Sequence, residues 1–460
     1  MKKEIISEKD KLEEARNVSI KEGSAASFSA GITYSYLTPY ALALNAQPIH
    51  IGLLSSFSGL LAPIAQIFGS KLIGKVHRKK IVLAFVLLQA LTWIPIAAIA
   101  LLYWKNLLTD YLLYGLIALY SIVSIFGGIA YPAWFSWMGD LVSEKERGKY
   151  FSKRNLITGI VEITAVLVGL AILSSLEKSS YAILGFGILF LLAFLFRLIS
   201  YILFHKQYSP SRFKLNHKYH ITAKDLLKHN KNFKRFSYYQ LFFNLAIMIA
   251  SPFFAVYMLQ NLGFSYAMYI GVATSSSIFY LLFLPLAGKF SDKYGSLKLI
   301  YLSNFLFVLS PLLWLVFKTP LTLIIFPQIA AGMANAAFII AFTNFTYSSV
   351  NPKYVGAGVA YLNLMVGIGI FIGSLIGGFI LKYVDNFNFA INSFFIVFII
   401  ASVFRLLIAL YFLPRIKEEK KVERIPPLHV NITHPFKSLH AEIGWLRTIY
   451  VSLNGKKVKK

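Results

Sequence analysis

Hydrophobic residues form long unbroken segments along this chain, and short polar stretches separate them. Twelve segments stand out, at residues 24–46, 49–69, 81–103, 111–138, 155–175, 180–204, 237–260, 265–287, 299–317, 320–346, 355–381 and 388–413. Nearly all are long enough to cross a hydrocarbon layer of ~30 Å as an α-helix. The pattern therefore predicts an all-α polytopic membrane protein with twelve transmembrane helices.

The composition agrees with a membrane protein. Hydrophobic residues make up 57% of the chain and charged residues 14%, whereas a soluble chain carries about 25% charged residues. Residues 1–22 are too polar for the core of a secretory signal peptide, so we expect a cytoplasmic N-terminal segment there. The chain has no cysteine, which excludes disulfides and thiolate metal sites. We expect neither a metal ion nor another cofactor.

Basic residues are concentrated in alternate loops. The loops at 71–80, 145–154 and 206–235 are rich in lysine and arginine. The intervening loops carry only Lys105, Lys178, Lys318 and Lys382. The positive-inside rule then places both termini in the cytoplasm, and we expect the plasma membrane. Such loops attract anionic lipid headgroups, so the formal net charge of +27 indicates lipid contact rather than nucleic-acid binding.

The chain contains an internal repeat. Residues 155–198 align without a gap on 363–406, with 17 of 44 positions identical, among them Arg197 and Arg405. The first six and the last six segments are therefore predicted to be two parallel copies of one six-helix unit. This divides the chain into 1–22, a first bundle at 23–204, a basic cytoplasmic linker at 205–236, a second bundle at 237–413 and a cytoplasmic tail at 414–460.

One basic loop has a recognisable motif. Residues 288–298 read Gly-Lys-Phe-Ser-Asp-Lys-Tyr-Gly-Ser-Leu-Lys. This loop resembles the one between two helices of major facilitator superfamily transporters. The resemblance implies a small-molecule transporter that works by alternating access, and a gating role for Gly288, Asp292, Lys293, Gly295 and Lys298.

The first copy departs from this motif, because Gly74 stands near the place of the aspartate. By pseudo-symmetry we expect Asp292 to face the start of the fifth segment, near Arg154 and Asn155. The alternative is that Asp292 only caps its own turn. A further acidic segment follows the fourth helix, where Asp140, Glu144 and Arg147 are either inner-gate ion pairs or parts of a solvated loop.

Three ionisable residues lie within predicted helices: Glu162, Arg197 and Arg405. The first to third and seventh to eleventh segments show no clear buried ionisable residue. Charges inside a membrane are functional hypotheses by default. Glu162 either pairs with Arg197 in a structural contact or faces the cavity as a proton carrier. For Arg197 and Arg405, which can reach the interface, a structural role is favoured.

The resemblance places the substrate cavity among the first, fourth, seventh and tenth segments. The candidate lining residues are aromatic or amide side chains, namely Tyr36, Tyr40, Tyr131, Trp134, Gln240, Asn244, Asn335 and Asn344. These carry no formal charge, which favours a neutral or lipophilic substrate. The glycines at 369–378 in the eleventh segment are similar to a drug-antiporter motif, and close helix packing explains them equally well.

The sequence thus predicts a monomeric secondary transporter that exports a neutral or lipophilic compound by alternating access, with protons as the candidate coupling ion. Three alternatives remain at this point. One is an uptake permease for a polar nutrient such as a sugar. Another is a membrane-embedded lipid-modifying enzyme, which would need a catalytic acid, base or metal cluster that the inner loops do not show. The third is a receptor or sensor that binds a ligand without coupled flux.

Overall fold

The computed structural model describes residues 8–73, 75–143, 146–210, 230–350, 355–384, 392–418 and 422–423. The elements in these ranges are helices joined by short turns, and no strand occurs among them. The all-α prediction is therefore confirmed.

Seven α-helices precede the linker: α1 Glu8–Tyr34, α2 Leu37–Ala43, α3 Pro48–Leu72, α4 Arg78–Trp104, α5 Thr109–Leu141, α6 Arg147–Leu176 and α7 Ala182–Lys206. Eight follow it: α8 Lys231–Met248, α9 Phe253–Val256, α10 Tyr266–Tyr294, α11 Ser296–Val316, α12 Pro320–Leu323, α13 Ile329–Ser349, α14 Val355–Val384 and α15 Ser393–Phe412. A π-helical turn continues α9 at Tyr257–Asn261, and another joins α12 to α13 at Ile324–Gln328.

Within the described ranges, eleven helices are long and apolar enough to span a membrane. The first helix, α1, is not one of them. It begins at Glu8, well before residue 24, and ends at Tyr34, after which the chain bends and continues as α2. The apolar pattern placed this helix wrongly because the polar residues Ser19 and Glu22 are buried by protein, not exposed to water.

The chain divides into two compact units. The first consists of Met1–Ile221, Gln240–Thr274 and Ala360–Ala401, and the second of Thr222–Tyr239, Ser275–Val359 and Ser402–Lys460, as far as these residues are described. The predicted division at the linker into residues 23–204 and 237–413 stays a prediction.

In the first unit, α1, α4, α5, α6 and α7 pack around one another. A core of buried side chains that includes Val82, Trp137, Met138 and Phe204 lies at the end of this bundle that carries the basic loops. Aromatic stacking of Tyr40 on Phe186, with ring centroids 5.1 Å apart, fixes α2 against α7. The space that the side chains of these helices leave unfilled inside the bundle forms a cavity.

Glycines set the distance between α14 and α8 in the first unit. A Cβ atom at Gly369, Gly373 or Gly377 would overlap backbone atoms of α8 or of the turn that follows it. The partner carbonyls are those of Leu241, Leu245 and Ile249. The packing explanation thus accounts for the glycines of the drug-antiporter-like motif.

Candidate functional site

The cavity of the first unit lies among α1, α3, α4, α5, α6 and α7 and has a volume of about 440 Å³. Most of its polar lining consists of amides, hydroxyls and two guanidinium groups. These residues are Ser27, Ser29, Thr33, Tyr34, Gln66, Gln89, Tyr120, Ser124, Tyr131, Arg154 and Arg197. Tyr34 is 64% exposed and Tyr131 is 50% exposed, so both tyrosine side chains are accessible to a ligand.

A smaller chamber of about 180 Å³ shares part of this lining. Tyr131, Arg154 and Arg197 line both chambers, while Glu22 and Trp134 line only the smaller one. The two guanidinium groups therefore lie where the chambers meet, and a carboxylate lies beyond them.

The guanidinium group of Arg197 is held by two side chains. Its Nε donates to Oε1 of Gln89 at 2.7 Å, and one terminal nitrogen donates to Oγ of Ser200 at 3.3 Å. The amide of Gln89 in turn donates to the carbonyl of Val123 at 3.1 Å. This chain of hydrogen bonds connects α7, α4 and α5 and orients Arg197 in the wall of the cavity.

The carboxylate of Glu22 is the acidic partner of this cluster. Its side chain is only 3% exposed. One oxygen accepts from Ser200 at 2.9 Å, and the other lies 3.5 Å from a terminal nitrogen of Arg154. A buried carboxylate is tolerated only when it is paired and hydrogen-bonded, and α1 thereby becomes tied to both α6 and α7.

Arg154 has two further contacts. Its Nε donates to the backbone carbonyl of Ser19 at 3.3 Å, and its guanidinium carbon lies 5.0 Å from the ring centroid of Trp134. The side chain is 11% exposed. Arg154 thus connects α6 to α1 and α5, and we name Glu22, Gln89, Arg154, Arg197 and Ser200 the guanidinium cluster.

The sequence reasoning missed Glu22. It placed Glu22 in a charged N-terminal segment ahead of the first predicted helix, whereas Glu22 lies within α1 and is buried. Apolar periodicity gave no signal for it, because the buried face of α1 carries the polar residues Ser19, Glu22 and Ser29.

Glu162 and Arg197 are not brought together. Glu162 is an exposed residue of α6, and among the described residues it forms no ion pair. It is also absent from the described lining of both chambers. The structural-pair alternative is therefore wrong for Glu162, because the carboxylate near Arg197 belongs to Glu22.

The predicted cavity residues separate into two groups. Tyr131 and Trp134 line the chambers. Tyr36 and Tyr40 do not, because both are fully buried: the Tyr36 hydroxyl donates to the carbonyl of Val166 at 2.6 Å, and that of Tyr40 donates to the carbonyl of Ile96 at 3.1 Å. Their role in this structure is to join helices.

The four predicted amides lie on the second half of the chain. Asn244 donates to the carbonyl of Gln240 one turn earlier, at 2.8 Å, and both side chains are buried. Asn335 is exposed and donates to the carbonyl of Ala331 at 2.8 Å. Asn344 donates to Oγ of Ser291 at 3.1 Å. Gln66 and Gln89 are the amides that line the described cavity.

The motif at 288–298 is only partly a loop. Gly288 and Asp292 belong to α10, and only Gly295, with φ of +100°, adopts a backbone conformation that favours glycine. Asp292 is exposed and has no ion pair among the described residues. The predicted approach of Asp292 to the start of the fifth segment stays a prediction.

The segment after α15 contacts this motif. The backbone N–H of Leu297 donates to a carboxylate oxygen of Glu418 at 2.7 Å. Nζ of Lys293 lies 3.6 Å from the carboxylate of Glu423, and Nζ of Lys298 donates to the carbonyl of Glu423 at 2.7 Å. The start of α11 is thus capped by a carboxylate from the tail, which complements the helix dipole.

The acidic segment after α5 is described only in part, and its predicted role in an inner gate stays a prediction. Asp140 pairs with Arg78, the buried first residue of α4. Glu144 and the side chain of Arg147 lie outside the described residues. Glu146 instead pairs with Arg16 at 3.0 Å and accepts from Ser143 at 2.9 Å. The Ser143 hydroxyl and the Arg16 guanidinium hold the pKa of Glu146 below its ordinary value.

At the opposite end of the bundle, the start of α10 contacts residues that directly follow α1 and α6. The Tyr269 hydroxyl donates to the carbonyl of Ser35 at 3.2 Å, and the N–H of Tyr266 donates to Glu177 at 3.4 Å. The described residues contain no group of three or more metal-ligating side chains that could hold a metal ion.

The chain matches one known protein family over most of its length. The profile of the Major Facilitator Superfamily matches residues 23–247 and again 236–453, which covers each predicted copy once. No curated protein matches the chain.

Solved structures share the fold at low sequence identity. A mutant of the nucleoside transporter NupG is 17% identical, with 87% of this chain and 100% of that chain covered and a TM-score of 0.68. An inward-facing, unoccupied bacterial homologue of the human lysosomal transporter Spinster is 14% identical, with 89% and 97% covered and a TM-score of 0.65.

A POT family transporter in complex with 5-aminolevulinic acid is 13% identical, with 88% and 97% covered and a TM-score of 0.68. All three are structures of transporters, and at this level of identity they show that the fold is shared. The two-repeat fold prediction is confirmed. The chain belongs to the major facilitator superfamily.

Proposed function

We propose that this chain is a secondary active transporter that moves a polar small molecule across the plasma membrane by alternating access, with protons as the coupling ion. The observation that carries the proposal is the 440 Å³ cavity, whose described lining combines amides, hydroxyls and guanidinium groups. Pockets of 300–1,000 Å³ suit small organic ligands, which a few placed polar groups orient.

The cavity does not support the neutral or lipophilic substrate expected from the sequence. That expectation rested on a lining without formal charge, and Arg154 and Arg197 contradict the premise. The polar substrate of the uptake alternative is favoured instead, and this preference concerns the substrate class and not the direction of transport. The structural neighbours agree, since they include a nucleoside transporter and a POT family transporter in complex with a conjugated peptide.

Glu22 is the carboxylate best placed to carry a coupling proton. A proton on Glu22 would cancel the charge that faces Arg154 and weaken the contacts of α1 with α6 and α7. Glu162, the carrier favoured by the sequence, lacks such a partner among the described residues. Because burial couples its charge to helix packing, Glu22 can link protonation to helix movement.

Export remains the predicted direction, and proteoliposomes test direction and coupling together. The purified protein would be reconstituted with an imposed pH gradient and radiolabelled nucleosides, amino acids or dipeptides. We expect movement of at least one polar solute that reverses when the gradient is reversed. Transport of lipophilic dyes alone would contradict the proposed substrate class, and flux that ignores the gradient would contradict proton coupling.

Asp292 remains our proposed gating residue, supported by its exposure next to the Gly295 turn. The Asp292→Asn variant should change the balance between inward-open and outward-open states about twofold to fivefold, since exposed charge contacts contribute ~0–1 kcal/mol. Because the chain has no cysteine, one cysteine at Ser27 in the cavity can report this through its alkylation rate from each side. Equal rates in both backgrounds would refute the gating role.

A further inference from the structure

We infer that the cavity of the first unit binds its ligand through an oxyanion, a carboxylate or a phosphate, held by Arg197 and Arg154. The inference rests on the proposed function, and it narrows the substrate class from polar solutes to polar solutes with an anionic end. It starts from the charge balance of the guanidinium cluster.

Two guanidinium groups share one carboxylate. Arg154 and Arg197 line both chambers, and Glu22 is the only acidic side chain in the described lining of either chamber. One positive charge in the cavity wall is therefore uncompensated by the described lining. Removing such a charge from bulk water is costly unless a counter-charge is supplied. An anionic ligand would supply it.

The geometry leaves donors for that anion. A guanidinium group has five N–H donors in a planar fork that matches the oxygens of a carboxylate or phosphate. The described hydrogen bonds of Arg197 use two of them, toward Gln89 and Ser200. Those two bonds fix the plane of the fork, which lowers the entropy lost when an oxyanion binds.

The rest of the cavity suits the remainder of a polar molecule. The hydroxyls of Tyr34 and Tyr120 and the amide of Gln66 line the same chamber as Arg197. Gln66 is oriented by Asn363, whose amide donates to its Oε1 at 3.2 Å. Trp93 supplies an aromatic face in the same wall. The ligand is thus expected to combine one anionic group with hydrogen-bonding groups and a flat or apolar part.

Ligand-induced thermal stabilisation tests the anion directly. The purified protein would be melted at constant ionic strength with matched anionic and neutral probes: succinate against succinamide, and adenosine monophosphate against adenosine, with inorganic phosphate and chloride alone. We expect a saturable rise of about 3 °C for at least one oxyanion, the size typical of a ligand well above its dissociation constant. Its neutral partner should give no rise.

The variants identify the site. Arg197→Gln and Arg197→Lys should abolish or strongly reduce the rise, because one removes the charge and the other removes the planar fork. Arg405→Lys is the matched control, since Arg405 is the repeat mate of Arg197 and is not among the described lining residues. It should leave the rise intact. If Arg197→Gln does not fold, Arg197→Lys carries the test.

Several results would overturn the inference. These are the absence of saturable stabilisation by every oxyanion, an equal or larger effect of the neutral probes, and a rise that Arg197→Lys does not change. The proposed function can fail separately. Transport of neutral solutes alone would support the transporter proposal and contradict the anion site. Binding of anions without any flux would support the anion site and contradict the transporter proposal.

Discussion

Arg197 and Arg405 occupy the same position in the two copies of the repeat, yet their surroundings differ. Arg197 faces a cavity, donates to the side chain of Gln89 and lies near the carboxylate of Glu22. Arg405 is 2% exposed and donates to the backbone carbonyl of Phe307 at 2.7 Å. Duplication preserved the arginine, and the partners that diverged determine which copy can bind a ligand.

The different surroundings of Arg197 and Arg405 give the same side chain two roles, one in ligand binding and one in helix packing. A guanidinium group that is bonded to a carbonyl inside packed helices stabilises the helix arrangement. A guanidinium group that is fixed by Gln89 and still accessible from a cavity is available to a ligand. The comparison predicts that changes around Arg197 alter transport, while changes around Arg405 alter stability alone.

The largest effect is expected for Glu22→Gln. Loss of the buried carboxylate leaves Arg154 and Arg197 without their shared counter-charge, which should lower the free energy of unfolding by about 3 kcal/mol. The measurement is denaturant unfolding in detergent, followed by circular dichroism. Glu162→Gln is the matched control, because that carboxylate is exposed and unpaired among the described residues. It should change the unfolding free energy by less than about 0.5 kcal/mol.

Equal effects of the two glutamine variants would contradict the assignment of Glu22 as the buried partner. The double variant Glu22→Gln with Arg154→Gln sharpens the test. Removing both charges should restore part of the lost stability, because no unpaired charge then remains at that contact.

The second effect concerns transport. Arg197→Lys should lower flux about tenfold, since lysine keeps the charge and loses the planar fork. Arg405→Lys should lower the melting temperature and leave flux per folded molecule unchanged. Both are measured in proteoliposomes, with flux normalised to folded protein. Equal losses of flux from the two variants would mean that the copies do not differ in function.

The third effect compares helix packing in the copies. In the first copy, Gly31 of α1 allows close approach to the Glu162 carbonyl of α6, and Ala165 occupies the position that aligns with Gly373. In the second copy, the glycines are on α14 and approach α8. The close helix contact therefore depends on a glycine of α1 in the first copy and on glycines of α14 in the second copy.

Gly373→Ala, which introduces the residue of the first copy, should destabilise the protein by about 2 kcal/mol because its Cβ overlaps the α8 backbone. Gly271→Ala is the control, since a Cβ there meets nothing within 4 Å. It should leave stability unchanged or raise it slightly, as alanine favours helix. Thermal unfolding of the two variants measures the difference, and equal melting temperatures would contradict the packing account.

The sequence predicted the helices well where hydropathy and length decide. From α3 to α15 the predicted segments and the observed helices agree to within several residues at most ends. The repeat and the motif at 288–298 were sufficient to predict the family. These properties are local, or depend on similarity along the chain, so one sequence contains them.

The candidate site was less predictable because its contacts are distant in sequence. Glu22 contacts Arg154 and Ser200, which lie 132 and 178 residues away. Residues 8–22 of α1 are polar in sequence, and hydropathy cannot show that neighbouring helices bury one face of this part of the helix. Tyr36 and Tyr40 were expected in the cavity because aromatic residues on the first segment suit it, but the direction of their side chains depends on the bend between α1 and α2.

The smallest effect is expected where charge is most exposed, at Glu146. Ser143 and Arg16 hold the pKa of this carboxyl below its ordinary value, so the contact stabilises the fold above the ordinary pKa and is lost as the pH falls through the lowered one. Glu146→Gln should therefore lower the melting temperature slightly at pH 7, and this difference should disappear as the pH falls through the lowered pKa. Melting curves of both proteins across this pH range measure the difference. An unchanged difference at low pH would show that packing, rather than charge, explains the contact. Arg16→Gln should show the same pH-dependent loss, together with a pH-independent loss from its hydrogen bond to the carbonyl of Leu141.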